Sequence, residues 1–273
     1  MKATAAITLA ALTALSTAAL AGGPGPGDDD IVLGDANSTA TFNSDGQYSW
    51  TVDGVEHLYA QEFYFRLPGY NDEQNINTMT MLGQAVQDTN GFSDNRVDSI
   101  NTIYSDSTSG LEIETAFTLR GSTNGSGAAS LAEVISITNT STSTIFLSFF
   151  QYVDFDLGGD SDGDSGMIVD GNIAQQWNDE FALSETVVTP SPTLYQMGYE
   201  GDLYDLWENG QIDDLNGDSS LEDDDVAWAF QWNIELEAGQ SFLISKNKTI
   251  VPTPGTLALL LGAGLISTRR RRD

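Results

Sequence analysis

Val226-Ala227-Trp228-Ala229-Phe230-Gln231-Trp232-Asn233-Ile234-Glu235-Leu236 alternates in character along its whole length. Val226, Trp228, Phe230, Trp232, Ile234 and Leu236 fall on one side, and Ala227, Ala229, Gln231, Asn233 and Glu235 on the other. Successive side chains of a strand point to opposite faces, so this period of two reads as a β-strand with one aromatic face. Such a stripe could stack on sugar rings, but its spacing is that of a core face. A turn at Ala238-Gly239 leads into Ser241–Ile250, and the two strands are expected to pair as a hairpin.

The same pattern recurs outward from this stretch. In Leu111–Leu119 the odd positions are mostly apolar and the even ones polar or small. Glu133–Asn139 and Ile145–Phe155 follow, and the three read as an antiparallel meander. Further strand signals lie at Thr39–Phe42, Tyr48–Val52, Leu58–Arg66, Ile100–Tyr104, Ala182–Thr189 and Thr193–Met197. Helical spacing occurs once, over Leu203–Trp207. Short strands separated by Gly/Asn/Asp/Ser turns point to a mainly β protein, a single antiparallel β-sandwich of jelly-roll or Greek-key type. About 220 residues suffice for one core. With no internal repeat, residues 31–250 read as one domain.

Between residues 22 and 250 five basic residues (Arg66, Arg96, Arg120, Lys246 and Lys248) face 39 acidic ones, a net charge of −34. This excludes nucleic acid and anionic lipid as partners and favours divalent cations. Recurrent aromatic and β-branched residues are contrary to a disordered composition. Cysteine is absent, so an exported domain of this kind relies on packing, with bound metal as the remaining staple.

Two acidic stretches have cation-ligand spacing. In Asp214–Asp225, oxygens fall at Asp214, Asn216, Asp218, Glu222 and Asp225, with a backbone carbonyl at Ser220. Calcium takes six to eight hard oxygens, and this spacing offers them. The stretch resembles an EF-hand or dockerin-type calcium loop, with Ser219 in place of the turn glycine and Asp225 in place of the bidentate Glu. The second, Asp154–Gly166, offers Asp156, Asp160, Asp162 and Asp164 in a Gly-rich loop, and solvated turn chemistry competes with metal binding there. Zinc is not expected, since His57 is the only histidine.

Catalytic motifs are weaker. Gly159-Asp160-Ser161-Asp162-Gly163 fits G-x-S-x-G in letters alone, because neighbouring carboxylates would oppose an oxyanion. His57 reads as a structural or surface imidazole. Carboxylate pairs for glycoside hydrolysis are available from Glu56, Glu62, Asp154, Asp156, Asp179 and Glu180, too many to be informative. No catalytic residue is assigned. Trp177, Trp207, Tyr64 and Tyr70 lie outside the core stripe and are candidates for stacking on sugars or for filling the ends of the sandwich.

The termini carry an address. Lys2, the apolar run Ala5–Leu20 and the small-x-small site Ala19-Leu20-Ala21 read as a signal peptide over residues 1–21, implying Sec export, with a flexible linker over residues 22–30. At the other end Val251-Pro252-Thr253-Pro254-Gly255-Thr256 precedes an uncharged run to Thr268 and then Arg269-Arg270-Arg271-Arg272. The run of 12 residues from Leu257 spans about 18 Å as helix against about 30 Å of bilayer core, a temporary stop rather than a permanent span. The arginines favour a cytoplasmic C-terminus.

Residues 251–272 resemble the PEP-CTERM sorting signal of Gram-negative bacteria, with Thr253 where the family usually has Glu. The resemblance implies transient anchoring in the inner membrane, cleavage by an exosortase-type protease, and delivery to the cell surface or extracellular matrix, often linked to exopolysaccharide. The expected role is structural or adhesive, with calcium as a stabilising ion. A carbohydrate-binding module and a polysaccharide-active hydrolase or lyase are the alternatives.

Overall fold

The computed structural model describes residues 30–90 and 94–253. The expected signal peptide with Ala19 and Ala21, the expected linker up to Asp29, and Pro254, Gly255, Thr256 and Arg269–Arg272 of the expected sorting tail lie outside the described residues, as do the expected terminal helices.

In chain order the strands are β1 (Ile31–Asp35), β2 (Ser38–Phe42), β3 (Gly46–Val52), β4 (Val55–Glu56), β5 (Ala60–Arg66), β6 (Gln74–Asn75), β7 (Thr80–Gln87), β8 (Ser99–Asp106) and β9 (Leu111–Arg120). They continue with β10 (Ala129–Asn139), β11 (Ile145–Asp154), β12 (Asp164–Val169), β13 (Ile173–Trp177), β14 (Phe181–Thr189), β15 (Leu194–Tyr199), β16 (Ser220–Asp224), β17 (Val226–Leu236) and β18 (Ser241–Pro252). One α-helix, α1 (Glu200–Glu208), follows β15. Among the described residues no helix is long and apolar enough to cross a membrane.

The strands form two antiparallel sheets of nine strands each. The first runs β1-β2-β3-β5-β11-β17-β15, with β4 beside β3 and β6 beside β5; the second runs β16-β12-β13-β14-β18-β10-β9-β8-β7. Their inner faces share one core, in which Phe42 and Phe63 of the first sheet meet Phe117 of the second. The protein is mainly β, as the sequence leads one to expect, and its nine strands in each sheet are more than an eight-strand jelly roll, one of the two expected types, would hold.

The strands lie where the alternation places them, but several pair differently from the expected hairpin and meander. Val226–Leu236 is a strand over its whole length, and its aromatic face is core. The hairpin is not formed, because β17 lies in the first sheet and β18 in the second. The meander also breaks: β9 and β10 pair, but β11 crosses to the other sheet beside β5 and β17. Both crossings are fastened at Asn139. Its Nδ2 donates to the carbonyls of Leu236 and Ser143, and its backbone exchanges hydrogen bonds with Gly239 and Gln240. A short polar turn therefore serves as a corner between layers, which alternation alone does not distinguish from a hairpin.

The other face of β17 explains the helix. Ala227 and Ala229 are small and fully buried, and they join Tyr64, Phe150, Tyr152, Leu203, Trp207 and Leu215 in a second cluster. Helix α1 thus covers the outer face of the first sheet with Leu203 and Trp207.

The end of the domain also shifts. Val251 and Pro252 remain in β18, opposite Ala182 and Phe181 of β14, and the Thr253 N–H donates to the Glu180 carbonyl. Pairing with β10 stops at Ile250, so Pro252 sits where only one neighbour remains. A residue without an N–H is tolerated there. The first residues of the stretch expected to be a sorting signal, Val251 and Pro252, are therefore part of β18.

Candidate functional site

Strand β5 runs antiparallel to β11, with Ala60 opposite Asp154 at one end and Arg66 opposite Ser148 at the other. Features of functional interest lie at both ends, about 20 Å apart at the rise of a strand.

At the Asp154 end three carboxylates converge. Asp154 closes β11, Asp156 follows in the connecting loop, and Asp225 stands between β16 and β17; one oxygen from each lies within 4.8 Å of the others. The backbone holds them in place. The carbonyls of Asp154, Asp156 and Asp225 accept the N–H groups of Tyr59, Gly159 and Glu200 respectively. Asp154 is 2 % exposed; its Oδ2 accepts the Tyr152 hydroxyl at 3.5 Å, and its Oδ1 has no hydrogen-bond partner. The Asp225 Oδ1 is likewise buried without a partner.

Burial pushes the Asp154 carboxyl up to about 8, and the nearby charges of Asp225, Asp156 and Glu200 add to the rise. Asp225 is pushed up to about 6 by burial and then by Asp156, Glu200, Asp162 and Asp224. Asp156 is raised by burial and then by Glu200, Asp160 and Glu56.

Both acidic stretches contribute to this cluster: Asp154 and Asp156 come from one and Asp225 from the other. Asp164 is not part of the cluster: fully buried, it accepts hydrogen bonds from the Leu157 N–H and the side chains of Gln176 and Asn178, and so fastens its loop. Asp160 and Asp162 are exposed, and the Asp162 N–H donates to the Asp160 Oδ1 at 3.4 Å. In the other stretch Asp214 pairs with Arg66 at 2.7 Å and accepts from Gln231, while Asn216 donates to Asp218. Ser220 and Glu222 lie on the edge strand β16. The stretch extends into a strand rather than closing around a point, so the EF-hand-like arrangement is not formed. Among the described residues Asp154, Asp156 and Asp225 are the one group of three or more acidic or imidazole side chains close enough to share an ion.

His57 lies beside this end and is structural. It is fully buried, its Nδ1 accepts the Gly158 N–H at 3.2 Å, and its ring stands edge-on to Phe181 at 4.6 Å. Burial lowers it to about 4, against the pull of Glu56, so it is neutral at physiological pH.

At the Arg66 end two open grooves share Tyr70. One, of about 400 Å³, is lined by Arg66, Tyr70, Phe146, Ile212, Asn233 and Glu235 among others. The other, of about 610 Å³, is lined by Tyr70, Asn71, Asp72, Gln74, Ser105 and Asp106 among others. Phe146 is 52 % and Ile212 58 % exposed, so apolar surface is open to solvent in the first. Tyr70 packs one side against the core through Phe65, at 6.1 Å between rings. Of the four aromatic residues considered for stacking on sugars, Tyr70 lines a groove. Trp207 and Tyr64 do not: they are buried and stack on each other at 4.9 Å beneath α1. Trp177 sits half-buried in β13.

All five cations of the described residues are engaged with acids. Arg66 pairs with Glu73 and Asp214, Arg96 with Asp94, and Arg120 with Asp98. Lys246 and Lys248 are buried between the sheets with Glu133 and Glu185. The surface charge is accordingly acidic almost throughout.

No protein-family model matches this chain, and no curated protein matches it. Solved structures do resemble it in fold. A bacterial glucoamylase complexed with acarbose is similar over 85 % of this chain at 11 % identity and a TM-score of 0.55; this chain covers 34 % of that one. A putative aldose 1-epimerase from Escherichia coli K12 is similar over 83 % of this chain and 100 % of its own, at 11 % identity and a TM-score of 0.50. The Slr1438 protein from Synechocystis sp. PCC 6803 is similar over 83 % of this chain and 96 % of its own, at 12 % identity and a TM-score of 0.51. At these identities the likeness is one of fold.

Proposed function

We propose that this is an exported carbohydrate-binding protein of the cell surface or extracellular matrix, which takes its glycan in the paired grooves at Tyr70. The observation that carries the reading is a tyrosine backed by core and shared by two open grooves, with amide and carboxylate side chains around it. An aromatic face suits the C–H face of a pyranose, and Asn71, Asp72, Gln74 and Asp106 supply the hydrogen-bonding groups that hydroxyls need. The fold likeness to a glucoamylase that holds acarbose and to a putative aldose 1-epimerase supports a carbohydrate ligand. Export, exosortase-type sorting and matrix location rest on the sequence of the two termini.

The charge distribution narrows the ligand class. Every cation of the described residues is already paired with an acid, so none of these is spare for the carboxylates or sulfates of an acidic glycan. The glycan is therefore neutral.

The test is binding of a panel of neutral and uronate-containing oligosaccharides to the full chain. Neutral glycans should bind, Tyr70→Ala should weaken binding at least tenfold, and Tyr70→Phe should keep it. If no neutral glycan binds, the structural or adhesive role stands instead. Release of reducing ends from a bound polysaccharide would mark an enzyme.

A further inference from the structure

We propose that Asp154, Asp156 and Asp225 form a site for one hard divalent cation, with calcium the best match, which joins the end of β11 to the start of β17. The inference is independent of the glycan reading, since the grooves at Tyr70 lie at the opposite end of β5.

Acidic residues alone do not make such a site. Here one of them, Asp154, is 98 % withdrawn from solvent and keeps an oxygen without any hydrogen-bond partner. Asp225 adds a second buried oxygen in the same condition. Unpartnered buried carboxylate oxygens are costly, and proteins normally satisfy them. The charges that act on the three groups are those of one another and of Glu200, Asp160, Asp162, Asp224 and Glu56, all acidic. The five arginines and lysines of the described residues are paired elsewhere, four of them with carboxylates that have no side-chain exposure at all, so the described residues have no counter-charge to bring.

The donor set selects the ion. All three groups offer hard oxygen, and His57, the only histidine, turns its Nδ1 to the Gly158 N–H. Zinc prefers nitrogen and sulfur. Calcium takes six to eight oxygens at about 2.3–2.6 Å in a flexible shell, and it tolerates carboxylates from separate segments completed by water. The backbone carbonyls of the three aspartates are already used by Tyr59, Gly159 and Glu200, so the ligands are side-chain oxygens on a pinned backbone. Oxygens within 4.8 Å of one another suit a common ion at that range. Glu200, at the start of α1, donates its backbone N–H to the Asp225 carbonyl, and its charge acts on all three groups.

Calorimetric titration of the full chain with calcium chloride, free of glycan, decides the matter, alongside melting in calcium and in EDTA. One calcium per chain is expected, with a higher melting temperature in calcium. Asp156→Asn and Asp225→Asn, at partly exposed positions, should each weaken binding at least tenfold and remove the gain in melting temperature. Asp162→Asn and Asp218→Asn should leave both unchanged. Terbium luminescence gives a second readout, because Tyr152 lies against Asp154 and would sensitise the bound ion. Absence of calcium binding, or binding that survives both Asp156→Asn and Asp225→Asn, would overturn the assignment. Binding lost in Asp218→Asn but kept in Asp156→Asn would do the same and return the ion to residues 214–225. Because no sugar is present, failure here leaves the glycan proposal standing, and loss of glycan binding in Tyr70→Ala leaves this one standing.

Discussion

Lys248 Nζ lies 3.0 Å from Glu133 Oε2 in the middle of the core, with both side chains withdrawn from solvent. The register sets the pair up: Glu133 of β10 is opposite Lys246 of β18, and Lys248 is opposite Glu185 of β14. Lys246 reaches Glu133 at 2.8 Å and Glu185 at 3.4 Å. The opposing sheet completes the arrangement through Gln61, Gln151 and the Trp228 indole, which donates to Glu185 at 2.9 Å. Burial pushes the Glu133 carboxyl up, but the two lysines outweigh it and hold the group below its usual range; burial drives Lys246 down against the pull of Glu133 and Glu185.

Removing one member should therefore be far worse than removing a pair. Lys248→Met leaves a net negative charge between the sheets and is expected to cost about 3–5 kcal/mol, while Lys248→Met with Glu133→Leu should cost much less than the sum of the two singles. Denaturant unfolding of the four proteins of this cycle measures the difference. Additive losses would show that the four charges do not act as a unit.

The acidic end gives a pH dependence of opposite sense to ordinary acid denaturation. In the unfolded chain aspartates titrate near about 4, while in the folded protein Asp154 is pushed up to about 8 and Asp225 to about 6. The folded state holds protons that the unfolded chain has released. Stability from these groups is fully present below about pH 4 and is lost as pH rises through 6 to 8. His57, lowered to about 4, works the other way, but its contribution is complete above about pH 6.5. Between pH 6.5 and 8, with EDTA present, stability should fall by on the order of 2 kcal/mol, and Asp154→Asn should flatten the curve. Melting curves at half-unit pH steps test this; a flat wild-type profile would refute it.

The strands were legible because alternation is written in single residues. Val226–Leu236 carries its own period, and so does Leu111–Leu119. The pairing was not, because the crossing turns at residues 140–144 and 237–240 are as short as hairpin turns, and only the Asn139 hydrogen bonds distinguish them. The ion quartet left a faint trace. Lys246 and Lys248 are in phase with Ile244 and Ile250, and Glu133 with Leu131 and Ile135, so charges occupied inward positions of otherwise regular strands. The acidic centre was half visible. Asp156 and Asp225 each stood in a recognised acidic stretch, but spacing along one segment cannot report that the fold brings the start of one stretch to the end of the other. Strand β16 was hidden for the same reason: Ser220–Asp224 is nearly all polar because it lies on a sheet edge.

Trp207 is the largest of the side chains that hold helix α1 to the sheet, beside the fully buried Leu203. Trp207 is 5 % exposed, stacks on Tyr64 at 4.9 Å and meets Phe150 edge-on at 5.2 Å. The helix offers little by itself, since its first residues lack a side-chain cap and it has only nine residues. Trp207→Ala should cost about 3–5 kcal/mol and release Glu200–Glu208 to fast hydrogen exchange, with β17 remaining protected. Uniform loss of protection across β17 would instead mean that the helix and sheet form one cooperative unit.

The boundary between domain and tail predicts a sharp difference between two truncations. A chain ending at Thr253 keeps the pairs Ala182–Val251 and Phe181–Pro252, the Thr253 N–H bond to the Glu180 carbonyl at 2.7 Å, and the contact of Pro252 with the Gly127 turn. A chain ending at Ile250 loses all of these and exposes the β14 edge beside Phe181. Phe181 packs on His57, so the loss reaches the acidic end of the first sheet. At about 0.5–1.5 kcal/mol for each net hydrogen bond, the shorter chain should be less stable by about 2 kcal/mol, and the chain ending at Thr253 should match one that retains the tail. Parallel denaturant curves of the three lengths test the boundary. If the chain ending at Ile250 matched the one ending at Thr253, the domain would end at Ile250, as the sequence alone suggests.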